Sequence, residues 1–215
     1  MLRYRERPNK EFRPFAFEYN RAQNISKFRT GQTIVWTKII LVNRDYQPIT
    51  IRYFMLPYSS DNKNSISQFK RRRTNQIEYA IESSFKDQLI IKEGLPKIHC
   101  NVCVTSSDGG TRSAAINSLT QNLLRFKDSL VGLKGLPLSS TFGKVNGEIV
   151  NDPNYLEDSK GQLDCCVAFL IPFKEIVWLQ SEGQILESQF IEQLEIAFEH
   201  CNCQIYNSLK ETISR

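Results

Sequence analysis

Ser107-Asp108-Gly109-Gly110-Thr111-Arg112-Ser113 joins two segments of different character. Before it, Lys97-Ile98-His99-Cys100-Asn101-Val102-Cys103-Val104-Thr105 reads as a strand; after it, Ser113 to Phe126 reads as a helix. Strand, glycine turn and helix start in that order leave backbone N–H groups unpaired at the helix N-terminus, where the dipole adds positive potential. Two adjacent glycines, lacking Cβ, let the backbone close around an anion. Thr111 offers a hydroxyl, Ser113 a further donor, and Arg112 a planar fork suited to two phosphate oxygens. No Lys-Ser/Thr pair follows the glycines, so the P-loop pattern is excluded. Gly109, Gly110, Thr111, Arg112 and Ser113 are read as a phosphate site. The competing reading is an ordinary strand-to-helix turn with an exposed arginine.

Further on, Asn151-Asp152-Pro153-Asn154-Tyr155-Leu156-Glu157-Asp158 leads into Ser159-Lys160-Gly161-Gln162-Leu163-Asp164. Cys165 to Ile171 then reads as a strand buried on both faces. On a straight strand, at ~3.3 Å per residue, Asp158 and Asp164 would lie about 20 Å apart. They converge only if the chain bends, and Gly161 is the place for that bend. Glu157, Asp158 and Asp164 are read as acids that hold a cation or supply a proton; the competing reading is a solvated acidic loop. A phosphate cradle beside paired acids suits chemistry on phosphodiesters, provided the fold brings the two together.

Asp-Gly-Gly-Thr-Arg-Ser-Ala at 108–114, Asn-Tyr-Leu-Glu-Asp-Ser at 154–159 and Asp164 resemble the signature of the ribonuclease PH family. Its members are phosphate-dependent 3′→5′ exoribonucleases and the related ring subunits of the RNA exosome. The order of elements agrees: a helix near 74–91, a strand, the glycine turn, a helix, a hairpin at Val145-Asn146-Gly147-Glu148, the acidic loop, two strands and a C-terminal helix. The resemblance runs from about Arg71 to the C-terminus and is nearest to the catalytic-type ring subunit.

The resemblance implies an α+β fold of the ribosomal protein S5 domain 2-like type, two layers deep, with a mixed sheet covered by helices. The chain is expected to form a single domain over residues 1–215, with a divergent strand region at 1–70 and the phosphate and acid region at 71–215. The implied reaction is phosphorolysis, in which inorganic phosphate, the co-substrate, attacks the last 3′ linkage and releases a nucleoside diphosphate. Asp158 and Asp164 match the family's paired acids, as ligands of a Mg²⁺ ion and as catalytic residues. Asp164 is preferred as the donor to the departing 3′ oxygen. Implied partners are single-stranded RNA, ribonuclease PH-like subunits in a six-membered hetero-oligomeric ring, cap subunits and a separate nuclease. The alternative is an inactive ring subunit that threads RNA to that nuclease; retention of Arg112, Asp158 and Asp164 favours the active form.

The first seventy residues depart from the family, which opens on Arg-x-Asp-Gly-Arg; here the region reads Arg13-Pro14-Phe15-Ala16-Phe17-Glu18-Tyr19. That departure bears on neighbour and RNA contacts and is expected to leave the phosphate and acid residues untouched. The net charge of +5 is unevenly placed, in Arg3, Arg5 and Arg7 and again in Lys70-Arg71-Arg72-Arg73. The second cluster stands just before a helix from Thr74 to Leu89, with Ile77, Ile81, Phe85 and Leu89 on one face. Cations are unfavourable at a helix N-terminus, so an anion is expected there. By the resemblance, Arg71, Arg72 and Arg73 hold the RNA backbone or the phosphate; otherwise they form a solubilising loop or an import signal.

With 215 residues and 40% hydrophobic content the chain can bury a substantial core. No apolar run has membrane-spanning length and the N-terminus lacks a signal-peptide core, so an intracellular protein is expected; nucleus, nucleolus or cytoplasm as its compartment is what the resemblance implies. The six cysteines are spaced on opposite faces of their elements and read as buried small hydrophobes. Near the C-terminus, Phe190, Leu194, Ala197, Phe198, Cys201, Ile205 and Leu209 mark a core helix, with Ser188 as its N-cap.

Overall fold

Alternating burial builds the first sheet from β1 (Phe15–Asn20), β2 (Ile25–Thr30) and β3 (Thr33–Val42), paired antiparallel. Phe17, Phe28, Val35 and Ile39 point inward, while Glu18, Arg29 and Lys38 face out. β3 pairs with β6 (Lys97–Ser106), and β6 pairs in parallel with β4 (Ile49–Met55). The parallel pair needs a crossover, which α1 (Gln68–Lys86) provides. The mixed order is β1-β2-β3-β6-β4. These assignments come from a computed structural model, which describes residues 10–42, 49–59, 68–91, 97–125 and 131–214.

A second sheet, all antiparallel, contains β8 (Leu136–Val145), β9 (Glu148–Asn151), β10 (Leu163–Ile171) and β11 (Glu175–Gly183) in the order β11-β10-β8-β9. β8 turns into β9 through Asn146 and Gly147, at φ 52° and 85°, the two positive values that a tight hairpin with matching twist requires. β5 (Leu89–Ile91) and β7 (Val131–Leu133) form a short ribbon.

Between the sheets lies α2 (Thr111–Leu124), packed on β2 and β3 from one side and on β8 and β10 from the other. Every residue from Ser113 to Leu123 is therefore buried. Several of its polar side chains bond strand backbone: Asn117 accepts from Ser139 N–H at 2.8 Å and donates to its carbonyl at 2.9 Å, and Asn122 donates to the Thr37 carbonyl at 2.7 Å, whereas the buried Gln121 amide has no partner among the described residues. Left unpaired, each such group would cost about 1–3 kcal/mol. α1 also touches both sheets, through β4 and β11. The architecture is α+β with a mixed sheet and helices, as expected.

Four boundaries differ from the sequence reading. The basic cluster lies inside α1 rather than before it, because Lys and Arg are good helix formers and nothing in them stops the helix. The side chains of Arg71, Arg72 and Arg73 lie outside the described residues, as does the whole Arg3–Arg7 cluster. Leu89 belongs to β5, so the apolar face of α1 ends at Phe85. Asp164 sits on β10 itself, opposite Gly143 of β8, rather than ahead of the strand.

The C-terminal helix begins two residues earlier than expected, and Leu186, not Ser188, is the N-cap of α4 (Glu187–Glu199). The Phe190 N–H bonds the Leu186 carbonyl at 2.9 Å, so backbone alone starts this helix. A π-helical stretch, His200–Ile205, links α4 to α5 (Tyr206–Ser214), and Cys201, Ile205 and Leu209 remain in the core. His200 opens that stretch, stacked on Phe12 with ring centroids 3.6 Å apart and its Nδ1 3.2 Å from the Ser140 hydroxyl.

Burial, only partly offset by the charge of Asp152, lowers the His200 pKa to about 4. An unfolded histidine titrates near 6.5, so between these values the unfolded chain binds more protons than the folded one. Stability is full above about pH 6.5 and falls by roughly 3 kcal/mol as the pH drops towards 4. Urea unfolding at pH 7.5 and pH 5 checks this: the gap between the two midpoints is expected to narrow in His200→Gln.

Candidate active site

β6 runs directly into the glycine turn, and α2 begins at Thr111. Gly109 and Gly110 both adopt left-handed backbone, at φ 81° and 65°. Gly110 is the N-cap, and no side chain caps the helix, which leaves the first-turn N–H groups to an incoming acceptor. Thr111 and Arg112 are half-buried at this end of the helix. Ser113 is buried and its hydroxyl donates to the Ser139 carbonyl at 2.7 Å. The hydroxyl expected to face phosphate is thus turned inward, and the residue offers its N–H instead.

The turn packs tightly on the acidic loop. A Cβ on Gly109 would fall well inside contact distance of the Pro153 carbonyl oxygen, and one on Gly110 would stand 3.1 Å from Arg13 Nη2 and from Asp152 Oδ1. Glycine is required here by that close approach as well as by the positive φ.

Arg13, two residues before β1, fills the floor beneath the turn. Its Nε and Nη2 donate to the Asp152 carboxylate at 2.8 and 2.6 Å, and its Nη1 donates to the Asp108 carbonyl. Burial opposes the guanidinium charge, but the hydrogen bond and charge of Asp152, followed by Asp108 and Glu157, outweigh it and raise the pKa above its ordinary value. Thr30 donates to the same carboxylate at 2.9 Å, and Thr33 donates to the Gly109 carbonyl at 2.6 Å. The N-terminal region therefore supports the phosphate turn directly, contrary to the expectation that its divergence leaves the site untouched. No spacing rule connects Arg13 with Asp152, 139 positions away. The available signal was one cation set among Phe12, Phe15 and Phe17.

On the acid side, α3 (Tyr155–Ser159) carries Asp158. Asn154 and Glu157 form a capping box: Glu157 N–H donates to the Asn154 side chain at 2.9 Å, and Asn154 N–H donates to the Glu157 carboxylate at 2.7 Å. Glu157 is thereby engaged at the helix N-terminus. The Asp108 carboxylate accepts the Tyr155 N–H at 3.2 Å, tying the phosphate turn to the same helix. After Ser159 the chain bends, with the Gly161 N–H donating to the Asp158 carbonyl at 3.0 Å, and β10 begins.

That bend brings both acids to one guanidinium. Asp164 makes a direct ion pair with Arg112, and the charge of Asp158 acts on the same group. Two hard oxygen donors on one side of a site fit Mg²⁺, which takes one or two carboxylates and keeps several waters. Asp158 and Asp164 are the residues that would hold it. Among the described residues no cluster of three His, Cys, Asp or Glu is placed to hold a metal, and burial raises the thiol pKa values of Cys100, Cys165 and Cys201.

Comparison with known proteins is consistent along the chain. Residues 11–127 match the RNase PH family, described as 3′ exoribonuclease family, domain 1, and residues 135–200 match its domain 2. The exosome complex component Rrp41 of Thermococcus gammatolerans is 29% identical over 171 residues, 79% of this chain and 66% of that protein. The component of the same name from Archaeoglobus fulgidus is 31% identical over 172 residues, 78% of this chain and 64% of that protein. The chain thus spans just under two thirds of these relatives' length. The crystal structure of rice (Oryza sativa) Rrp46 aligns with a TM-score of 0.79 over 98% of this chain and 99% of that one, at 17% identity, a likeness of fold.

Gly109 and Gly147, both left-handed, separate close approach from backbone strain. Gly147→Ala has open space around it and is expected to lower stability by about 1–2 kcal/mol from φ alone. Gly109→Ala must also displace the Pro153 backbone, and the loss is expected to exceed 3 kcal/mol. Chemical unfolding of the two variants side by side measures the difference.

Proposed function

We propose a function from the premise that this chain belongs to the 3′ exoribonuclease family of ribonuclease PH type, whose two domains match residues 11–127 and 135–200. The chain works as a single-domain ring subunit of an exosome-type complex, in 3′→5′ processing and degradation of RNA. Its neighbours are other ribonuclease PH-like subunits, and its substrate is single-stranded RNA. Support comes from the Rrp41 likeness and from one observation above all: Arg112, in the uncapped first turn of α2, lies between the phosphate cradle and the acids Asp158 and Asp164.

Inorganic phosphate rests on the N–H groups that follow Gly109 and Gly110, with Thr111 and Arg112 as further donors. One of its oxygens attacks the terminal phosphorus, the bond to the 3′ oxygen breaks, and a nucleoside diphosphate leaves. The attacking hydrogen phosphate gives up a proton as its oxygen bonds to phosphorus, and Asp164 is assigned to pass that proton to the departing 3′ oxygen. Approach of one anion to another demands positioning and charge neutralisation rather than covalent help. Arg112 does both, since its fork binds two oxygens and its charge is fixed. Asp158 and Asp164 would hold Mg²⁺, whose charge would offset the negative charge developing on the phosphoryl oxygens.

A second reading rests on the same ion pair. Arg112 and Asp164 neutralise each other, and a site in which that pairing persists binds RNA without cleaving it. The chain would then thread RNA towards a separate nuclease.

Phosphorolysis of a 3′-unstructured RNA by the chain assembled with its co-purifying ring partners distinguishes the two. Nucleoside diphosphates are expected only when phosphate and Mg²⁺ are present. Asp164→Asn is expected to lower the rate at least a hundredfold, the contribution of a positioned acid. RNA that is bound but never shortened under these conditions would establish the threading role.

A further inference from the structure

Asp152 combines two features that rarely coexist without purpose. Its backbone is left-handed, φ 48°, a conformation that a non-glycine residue holds only when its surroundings impose it. Its buried carboxylate takes Arg13 Nε at 2.8 Å and Nη2 at 2.6 Å, Thr30 Oγ1 at 2.9 Å and Thr141 Oγ1 at 3.4 Å. The Asp152 N–H adds a bond to the Thr141 carbonyl at 2.8 Å. Asp152 stands three residues before α3, so its conformation sets the direction in which Asp158 is presented.

The other end of the Arg13 fork holds the phosphate turn. Nη1 donates to the Asp108 carbonyl and lies 3.6 Å from its carboxylate, while Nη2 is 3.4 Å from the Gly109 carbonyl. Those carbonyls belong to the two peptide groups of the turn just ahead of Thr111, where α2 opens. The Asp108 carboxylate in turn receives the first N–H of α3. One guanidinium therefore joins the phosphate turn and the acid helix along two routes, through Asp152 and through Asp108.

We propose that Arg13 and Asp152 are a positioning pair that fixes the alignment of the phosphate-binding N–H groups against Asp158, so that phosphate affinity depends on side chains that never touch phosphate. This role rests on the phosphorolytic reading above. Arg13 and Asp152 are 6% and 7% exposed, buried beneath the turn with guanidinium and carboxylate directed at each other. The fork geometry is essential: a lysine retains the charge but reaches only one side of the junction.

The test is titration of the assembled protein with inorganic phosphate, followed by calorimetry, for wild type, Arg13→Lys, Thr30→Val and Arg112→Ala. Thr30→Val removes a single donor to Asp152 at nearly constant volume, so it tests the pair even if Arg13→Lys does not fold. Ile81→Val, a core change in α1, controls for lost stability. Arg13→Lys is expected to weaken phosphate binding about tenfold or more, the scale of a small misalignment. Thr30→Val is expected to weaken it several-fold, and Ile81→Val to leave it unchanged. Phosphate binding that Arg112→Ala abolishes and that Arg13→Lys and Thr30→Val leave at the wild-type value would overturn the positioning role alone. Absence of phosphate binding by the wild type would overturn the phosphorolytic reading, and the positioning role with it.

Discussion

A guanidinium sealed inside the protein is tolerable only when its charge and its N–H groups are answered, and Arg13 is answered by Asp152, by the Asp108 carbonyl and by the close Gly109 carbonyl. Removing one partner of such a buried pair typically costs about 3–5 kcal/mol, because the other charge is stranded. Three distant pieces of chain must therefore meet at one point: the segment before β1, the turn after β6 and the end of β9. The approach is close enough that only glycine fits at position 109. Once that junction forms, the start of α2 and the start of α3 are fixed relative to each other.

The rest of the fold gives the junction a rigid base. α2 is enclosed by both sheets, so it lacks the single apolar stripe of a surface helix and carries buried Ser113, Asn117, Ser118, Thr120 and Asn122. Those groups lock onto strand backbone at defined points, where purely apolar packing would leave the helix freer to slide. The Asn117–Ser139 exchange ties α2 to β8 one turn below Ser113. β8 pairs with β10, the strand carrying Asp164, so the register of Arg112 against Asp164 follows from backbone hydrogen bonds.

The electrostatic pattern separates groups that shape the site from groups that face it. Glu157, Asp108 and Asp152 are anions, yet each is engaged by a helix N-terminus or by Arg13. Asp158, Asp164 and Arg112 remain at the half-exposed end of α2. A cluster of acids in the sequence thus divides into structural and chemical members according to which N–H groups the fold brings within reach. The divergent N-terminal strands share in that division, since they supply Arg13, Thr30 and Thr33.

Much was legible in the order of residues. The strand, glycine turn and helix at 97–124, the hairpin at Asn146-Gly147, the bend at Gly161 and the apolar run of β10 all depend on local backbone preference or on periodicity, and each stands near where the pattern indicates. Gly-Gly-Thr-Arg and the two aspartates carried the family. Helix ends were less legible, because basic residues extend α1 and backbone alone starts α4. The turning of the Ser113 hydroxyl inward, the engagement of Glu157 in a cap and the service of Arg13 to a site built from residues far along the chain were decided by tertiary structure alone. Local preference acts over a few residues, whereas a buried charge is satisfied by whatever group the folded chain places within about 3 Å of it, and that neighbour has no fixed distance in sequence.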